Sequence, residues 1–232
     1  KALIKTYKKK GFTINGKNKV SKDFPKLKDC YQVLKAMKQK DLVSKLEKFV
    51  KGSLATVFDK KTNIKLSNRL VVFDIKDLPE SIRPIMMMIV ANFVNSEVKS
   101  KPQKRILVID EGWLLLDNQD SAKFISGLTR RARKYFLGVS IISQQANDFL
   151  NSNEGRAIAS QSALRILLKQ DTTTIKKVSK EFNLSSYEEQ FLLTCDRGEA
   201  LIIADQNHVS VKIVASDKEH GLLTTDPREI YS

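Results

Sequence analysis

A chain of 232 residues is long enough for one large core with an appendage. Its 41% apolar and 29% charged residues are ordinary globular composition, which excludes collagen-like, coiled-coil and low-complexity classes. The formal charge of +15 is lodged in residues 1–70, which hold 20 basic and 5 acidic side chains, whereas residues 71–232 hold 21 of each. So sharp a break, at about residue 70, predicts a domain boundary. The longest apolar run, residues 85–91, is seven residues against the roughly 20 of a membrane span. Cys30 and Cys195 stand far apart, which fits a reducing compartment and excludes a disulfide scaffold or a zinc site built on CxxC. The chain opens on Lys1 rather than Met and reads as a piece of a longer protein.

In chain order, residues 1–23 are Lys-rich with Gly11, Asn15 and Gly16, and read as loop. Residues 25–50 read as one helix: Leu27, Tyr31, Leu34, Leu42, Leu46 and Phe49 recur at three- and four-residue steps behind Pro25. This basic third uses Lys almost throughout, Arg69 being its one Arg. It offers a charged surface to phosphates or an acidic partner, and reads equally as a solvated helical face. Residues 60–69 are polar and read as a linker or turn. The texture then changes. Residues 70–74 (LVVFD) form a short β-branched run ending on an acid. A helix with Ser81 as its cap and Pro84 in its first turn runs to about Val98. Residues 105–110 (RILVID) read as a central parallel strand, apolar on both faces. A helix follows over 119–136, then a strand over 138–143, a loop with a short helix, and a strand over 163–168. Two more helices come next, the second opening on a capping box of Ser185 and Glu188. Residues 199–204 and 208–214 read as an antiparallel hairpin.

Strands alternating with helices mean an α/β domain with a largely parallel sheet, whose ligand lies beyond the carboxyl ends of the strands. The residues to weigh there are Asp74, Asp110 with Glu111, and Ser143 with Gln144. Four apolar residues followed by Asp110 and Glu111 are the pattern of the Mg²⁺-side strand of P-loop NTPases. One carboxylate at the strand tip holds hydrated Mg²⁺ beside the phosphates, and a second, one residue on, orients and deprotonates water. Gln144 follows the next strand and belongs at the same edge, where a neutral amide bonds a γ-phosphate or the attacking water. Its plainer reading is a polar loop start. The intervening helix carries Arg130, Arg131, Arg133 and Lys134; Arg133 points outward, as an arginine finger would or as cations complementing a helix C-terminus do. Arg197, ahead of the hairpin, is a second outward candidate. Met86, Met87 and Met88 read as core filler, Cys195 as a small buried residue, and His208 and His220 show no nearby ligand partners.

A phosphate loop needs G-x-x-x-x-G-K-[ST] between a strand and a helix. The near match at residues 11–18 (GFTINGKN) follows no buried strand, runs on without a helix pattern, and ends on Asn18, which lacks the hydroxyl for Mg²⁺. As written, the chain carries a metal side and no phosphate cradle.

Together, residues 70–74, RILVIDEGW at 105–113, RARKY at 131–135 running to Ser143-Gln144-Gln145, RGEAL at 197–201, and SDKE at 216–219 through LTTDP at 223–227 resemble the C-terminal ATPase of the VirB-four family. These are the traffic ATPases of conjugative type IV secretion systems, in the FtsK–HerA branch of RecA-like motors. The resemblance covers roughly 70–232 in unbroken order. It implies a RecA-like P-loop NTPase core over 68–232, preceded over 1–67 by a small all-α subdomain that is part of an insertion, with the phosphate loop upstream of Lys1. It implies ATP as substrate with Mg²⁺, Asp110 taking the metal through water, Glu111 as base, Gln144 as γ-phosphate sensor, and Arg133 or Arg197 acting across a subunit interface. The complete protein would then be a hexameric, cytoplasmic ATPase, peripheral to the inner face of the cell membrane, working with other secretion components to energise substrate transfer or pilus assembly. Two alternatives stay open: a DNA-translocating coupling-type motor of the same superfamily, and a non-catalytic module whose basic 1–70 segment binds DNA or membrane lipid.

Overall fold

The computed structural model describes residues 1–12, 23–61, 68–101, 103–224 and 228. The chain divides into two compact units, Lys1–Val71 and Val72–Ser232.

The first unit is helical: α1 (Ala2–Lys9), α2 (Leu27–Ala36), α3 (Lys40–Val50) and the single turn α4 (Ala55–Phe58). Two expectations are corrected here. The start of the chain is a helix rather than a loop. Its Thr6 is buried, Lys8 and Lys9 sit at its C-terminal end where cations suit the dipole, and Gly11 at φ +84 follows its end. The single helix expected over 25–50 is two. Lys38 takes φ +56, its N–H donates to the Lys35 carbonyl, and the Gln39 N–H donates to the Leu34 carbonyl. That is a Schellman ending built without the glycine that announces one. Asp29 Oδ2 accepts from the Lys26 amide and Asp59 Oδ1 from the Lys28 amide, so α2 is capped locally and from beyond α4. Cys30, Tyr31, Val33, Leu34 and Val50 are buried. Because α1 precedes the near-match stretch at 11–18, no strand enters it; residues 13–18 themselves lie outside the described residues, as do 225–227 of the terminal TTDP.

The second unit opens on α5 (Arg83–Ser100), with Pro84 in its first turn. Then come β1 (Arg105–Ile109), α6 (Trp113–Leu116), α7 (Gln119–Ala132) with a 3-10 turn Arg133–Tyr135, β2 (Leu137–Ile141), α8 (Asn147–Leu150) and α9 (Asn153–Gln161). The chain continues through β3 (Leu164–Leu167), α10 (Ile175–Phe182), α11 (Ser186–Thr194), β4 (Glu199–Ala204), β5 (Asn207–Lys212) and α12 (Asp217–Leu223). β1 and β2 pair in parallel, Arg105 opposite Leu137 and Ile109 opposite Ile141. β3, β4 and β5 form a separate antiparallel sheet. The strand expected at 163–168 thus joins the hairpin and leaves the parallel pair.

Residues 70–74 form no strand: no neighbour among the described residues pairs with them, and Leu70 and Val72 are exposed. Nor is β1 covered on both faces. Ile109 is buried, while Ile106 is 78% and Val108 58% exposed, since no described element lies over that face. Beneath the pair, α6 and α7 bury Leu114, Leu115, Leu116, Ala122, Ile125 and Leu128, and the Ser121 hydroxyl donates to the Leu115 carbonyl at 2.6 Å. A second core joins Leu150, Leu167, Ile175, Val178, Leu192, Leu201 and Ile203. Cys195 is buried beside it, and burial pushes its thiol up.

The expected capping box opens α11, and it does more than cap. Glu188 Oε2 accepts from the Ser185 amide and hydroxyl at 2.6 and 2.8 Å, while Oε1 meets His208 Nδ1 of β5 at 2.7 Å. His208 therefore does have a carboxylate partner, one that a separation of 20 residues concealed. Burial acts to raise the Glu188 pKa, but the Ser185 bonds and the His208 ring outweigh it and hold the carboxyl below its ordinary value.

Two measurements check these contacts. Leu192 is fully buried, so Leu192→Ala should cost about 2–5 kcal/mol. Trp113, the chain's one tryptophan, lies in the second unit and reports its urea midpoint by fluorescence. A carboxylate held low in the fold stabilises it above its unfolded pKa, and that contribution is lost as pH falls through the folded value. The stability difference between the parent chain and Glu188→Gln should therefore be full at neutral pH and shrink below about pH 4.3.

Candidate functional site

The candidate site is the carboxyl edge of the parallel pair. Two backbone bonds fasten it beyond the strands: the Ile142 N–H donates to the Ile109 carbonyl at 2.9 Å, and the Gly112 N–H donates to the Ile142 carbonyl at 2.8 Å. Both bonds go to Ile142, one from residue 109 and one from residue 112, so the chain runs on beside β2 with one residue more than a regular parallel ladder holds. That stretch includes Glu111, which takes φ +50, a left-handed conformation that a residue with a Cβ holds only at a cost of about 1–3 kcal/mol. Asp110 Oδ1 accepts from the Glu111 amide at 2.9 Å, which steadies this turn. Asp110 is exposed and Glu111 half-buried.

Gly112 is the residue here that sequence reasoning passed over. A Cβ on it would stand 2.2 Å from Ile141 Cγ2 and 3.4 Å from the Ile142 carbonyl oxygen. The obstructing methyl belongs to a short β-branched side chain, which has little freedom to swing away. Its signal lay in plain view, a glycine directly after the two acids. Trp113 remains 39% exposed at the start of α6, while Leu114, Leu115 and Leu116 anchor that turn in the core.

Gln144 emerges at the same edge. The register sets Ile141 opposite Ile109, so Gln144 follows the end of β2 much as Asp110 and Glu111 follow the end of β1. It is exposed, and its neighbour Ser143 bonds through Oγ to Asp148 Oδ2. The two arginines lie elsewhere. Arg133 is exposed in the 3-10 turn ahead of β2, at the opposite, amino end of the pair, where the Arg105 N–H donates to the Phe136 carbonyl at 3.1 Å. Arg197 is exposed in the turn leading into β4, beside Gly198 at φ +85. The fold thus brings together Asp110, Glu111 and Gln144, and not Arg133.

Chemically, the edge offers two adjacent carboxylates and a neutral amide. A single exposed carboxylate suits a hard cation that keeps most of its water, as Mg²⁺ does, better than a dedicated all-protein cage. Among the described residues no group of three or more His, Cys, Asp or Glu is placed to hold a metal. Asp110 and Glu111 fit such a cation. Also among the described residues, no helix is long and apolar enough to cross a membrane.

Comparison with known proteins agrees with this architecture. The family matched is described as the TraG P-loop domain, over residues 20–220. The chain is 25% identical over 176 residues to the type IV secretion system protein virB4 of Bartonella quintana, covering 73% of this chain and 22% of that protein. It is 29% identical over 134 residues to protein TraC of Escherichia coli, covering 53% of this chain and 15% of that one. It thus spans about a fifth of the length of these relatives. Among solved structures, VirB4 of Thermoanaerobacter pseudethanolicus superposes with a TM-score of 0.84 at 24% identity, covering 94% of this chain and 63% of that one. The α/β P-loop NTPase fold is therefore shared.

The close approach at Gly112 sets a test with a built-in control. Gly112→Ala should destabilise the second unit by about 1–3 kcal/mol. Gly221→Ala, in α12 with nothing within 4 Å of the added methyl, should be neutral or stabilising by up to about 1 kcal/mol. Urea titration followed by far-ultraviolet circular dichroism separates the two.

Proposed function

The chain belongs to the TraG P-loop domain family, and from that premise we propose that it is the metal-side part of an ATP-hydrolysing motor. In the complete protein this motor energises substrate transfer or pilus assembly by a conjugative type IV secretion system. The observation that carries the reading is the carboxyl edge, where Asp110, Glu111 and Gln144 stand together on a parallel pair.

In this reading ATP is the substrate, and its phosphate cradle comes from residues outside this stretch. Asp110 would hold Mg²⁺ through water, and the ion when bound would supply charge neutralisation at the phosphates. Glu111, one residue on and turned aside by its left-handed backbone, takes a proton from the attacking water. Gln144 donates or accepts at the γ-phosphate or at that water, and loses its partner when the phosphate leaves. Arg133 and Arg197, both exposed, are the candidates for reaching a nucleotide on a neighbouring protomer of a hexamer. The motor works in the cytoplasm, at the inner face of the membrane, alongside other secretion components. Residues 1–70, which hold the whole charge excess, give it a Lys-rich surface for DNA.

The decisive variant is Glu111→Gln in the complete protein. ATP turnover should fall by about 10²–10⁴-fold while ATP affinity stays within a few-fold. Steady-state hydrolysis and equilibrium nucleotide binding, measured on one preparation, decide it. Loss of binding would assign Glu111 to holding the nucleotide or its metal, and full turnover would remove it from the reaction.

A further inference from the structure

Just past β2 the chain is tied down twice, and neither tie belongs to the sheet. The Ser143 hydroxyl donates to Asp148 Oδ2, which closes the turn that carries Gln144. Asn147 Nδ2 then donates to Thr174 Oγ1 at 3.2 Å, and the Thr174 hydroxyl donates to Asp171 Oδ2 at 2.8 Å. Asp171 Oδ1 accepts the Thr173 and Thr174 amides at 2.8 and 3.0 Å, together with the Thr173 hydroxyl. These hydroxyl and amide bonds hold the Asp171 carboxyl far below the usual range, so it remains an ionised acceptor. Thr174 is 4% exposed, and Leu150, at the end of α8, packs in one core with Ile175 and Val178. The short helix α8 is thereby fixed to the start of α10 by a polar chain and an apolar contact.

Gln144 has no such tie. It is exposed, and its side chain makes no hydrogen bond among the described residues. Where it stands is set by the backbone on either side. On one side that backbone is β2. On the other it is the Ser143–Asp148 clasp and the α8 platform. We propose that Asp148 is a positioning residue: by holding Ser143 it sets the place of the Gln144 side chain at the carboxyl edge, with Asn147 and Thr174 keeping α8 as its fixed support. This rests on the reading of Gln144 as the group that meets the γ-phosphate or the water.

The test uses the complete protein with Ser143→Ala, Asp148→Ala, the double variant, and Ser143→Thr. The first readout is amide hydrogen exchange of residues 142–151, which needs no ATP turnover. The second is kcat and KM for ATP. Each single variant should speed exchange in that stretch about tenfold and lower kcat about tenfold, the scale of one hydrogen bond to a charged group, with KM within about twofold. The double variant should be no worse than either single one, because both break one link. Ser143→Thr, which keeps the hydroxyl, should restore both readouts. Should Asp148→Ala fail to fold, Ser143→Ala with its rescue carries the comparison. Unchanged exchange overturns the proposal whether or not the protein hydrolyses ATP. So does faster exchange with unchanged kcat in a protein whose turnover Gln144→Ala abolishes, and so do losses that multiply in the double variant. A parent protein without turnover, or turnover indifferent to Gln144→Ala, instead removes the hydrolytic reading of the edge, and the exchange arm still decides whether the clasp exists.

Discussion

The backbone crossing at the end of the parallel pair is the contact on which the rest of the second unit depends. The Ile142 amide reaches the Ile109 carbonyl and the Gly112 amide reaches the Ile142 carbonyl, within 3 Å each. For the second bond to form, residue 112 must lie against Ile141 with no side chain between them. Everything around it follows. Glu111 turns left-handed where the chain fits one extra residue between those two bonds. α6 begins at once, so Leu114, Leu115 and Leu116 drop into the core on one side. On the other side the chain leaves β2 with its direction set, and Ser143 and Gln144 follow at the same edge. One missing methyl therefore links the core packing of α6 to the placement of two carboxylates.

That edge is polar and open, while the support behind it is packed. Asp110 and Gln144 are exposed, whereas Leu115, Ile125, Val178, Leu192 and Leu201 are almost wholly buried. The division is what the proposed reacting edge would require: groups that meet a solvated, charged ligand keep their hydration, and positional accuracy is supplied from beneath by elements with well-packed apolar contacts. The elements that bridge the two regimes are short. α6 and α8 are four residues each, too short to be stable alone, and each is held by its neighbours: α6 by its leucines, α8 by Leu150 and by the Asn147–Thr174 bond.

The strand-end acids, the parallel relation of their two strands, the capping box at Ser185 and the hairpin at 199–212 were legible in the sequence, because each rests on a local rule. Apolar runs of five residues between helical patterns leave few alternatives, and Ser-x-x-Glu has one common use. What escaped was decided by contacts distant in sequence or by conformations that composition does not announce. The break at Lys38 uses a left-handed lysine where glycine is the usual signal, so periodicity ran through it. α1 was hidden by its lysines, which a short helix tolerates at its C-terminal end. The run at 70–74 has strand composition but no partner among the described residues, and a strand exists only through its ladder. His208 looked isolated because its carboxylate partner stands 20 residues earlier, on α11.

The arginines show how topology constrains the proposed mechanism. Arg133 precedes β2 and Asp110 follows β1, and the two strands run side by side in the same direction. The two residues are therefore separated by the length of a five-residue strand, about 16 Å along the sheet. An arginine at one end of the pair does not reach a phosphate bound at the other. In the proposed motor, then, Arg133 and the Asp110–Glu111 edge of one chain serve different nucleotides, and a symmetric ring is the arrangement that lets each protomer offer one end to itself and the other to its neighbour. The same geometry gives Gln144 the opposite assignment. It shares the edge with the two acids, so in the proposed motor it would face the nucleotide held at that edge of its own chain. The helix α7 and the turn Arg133–Tyr135 join the two ends within one covalent path, from the acids through an amphipathic helix buried on one face to the exposed cations.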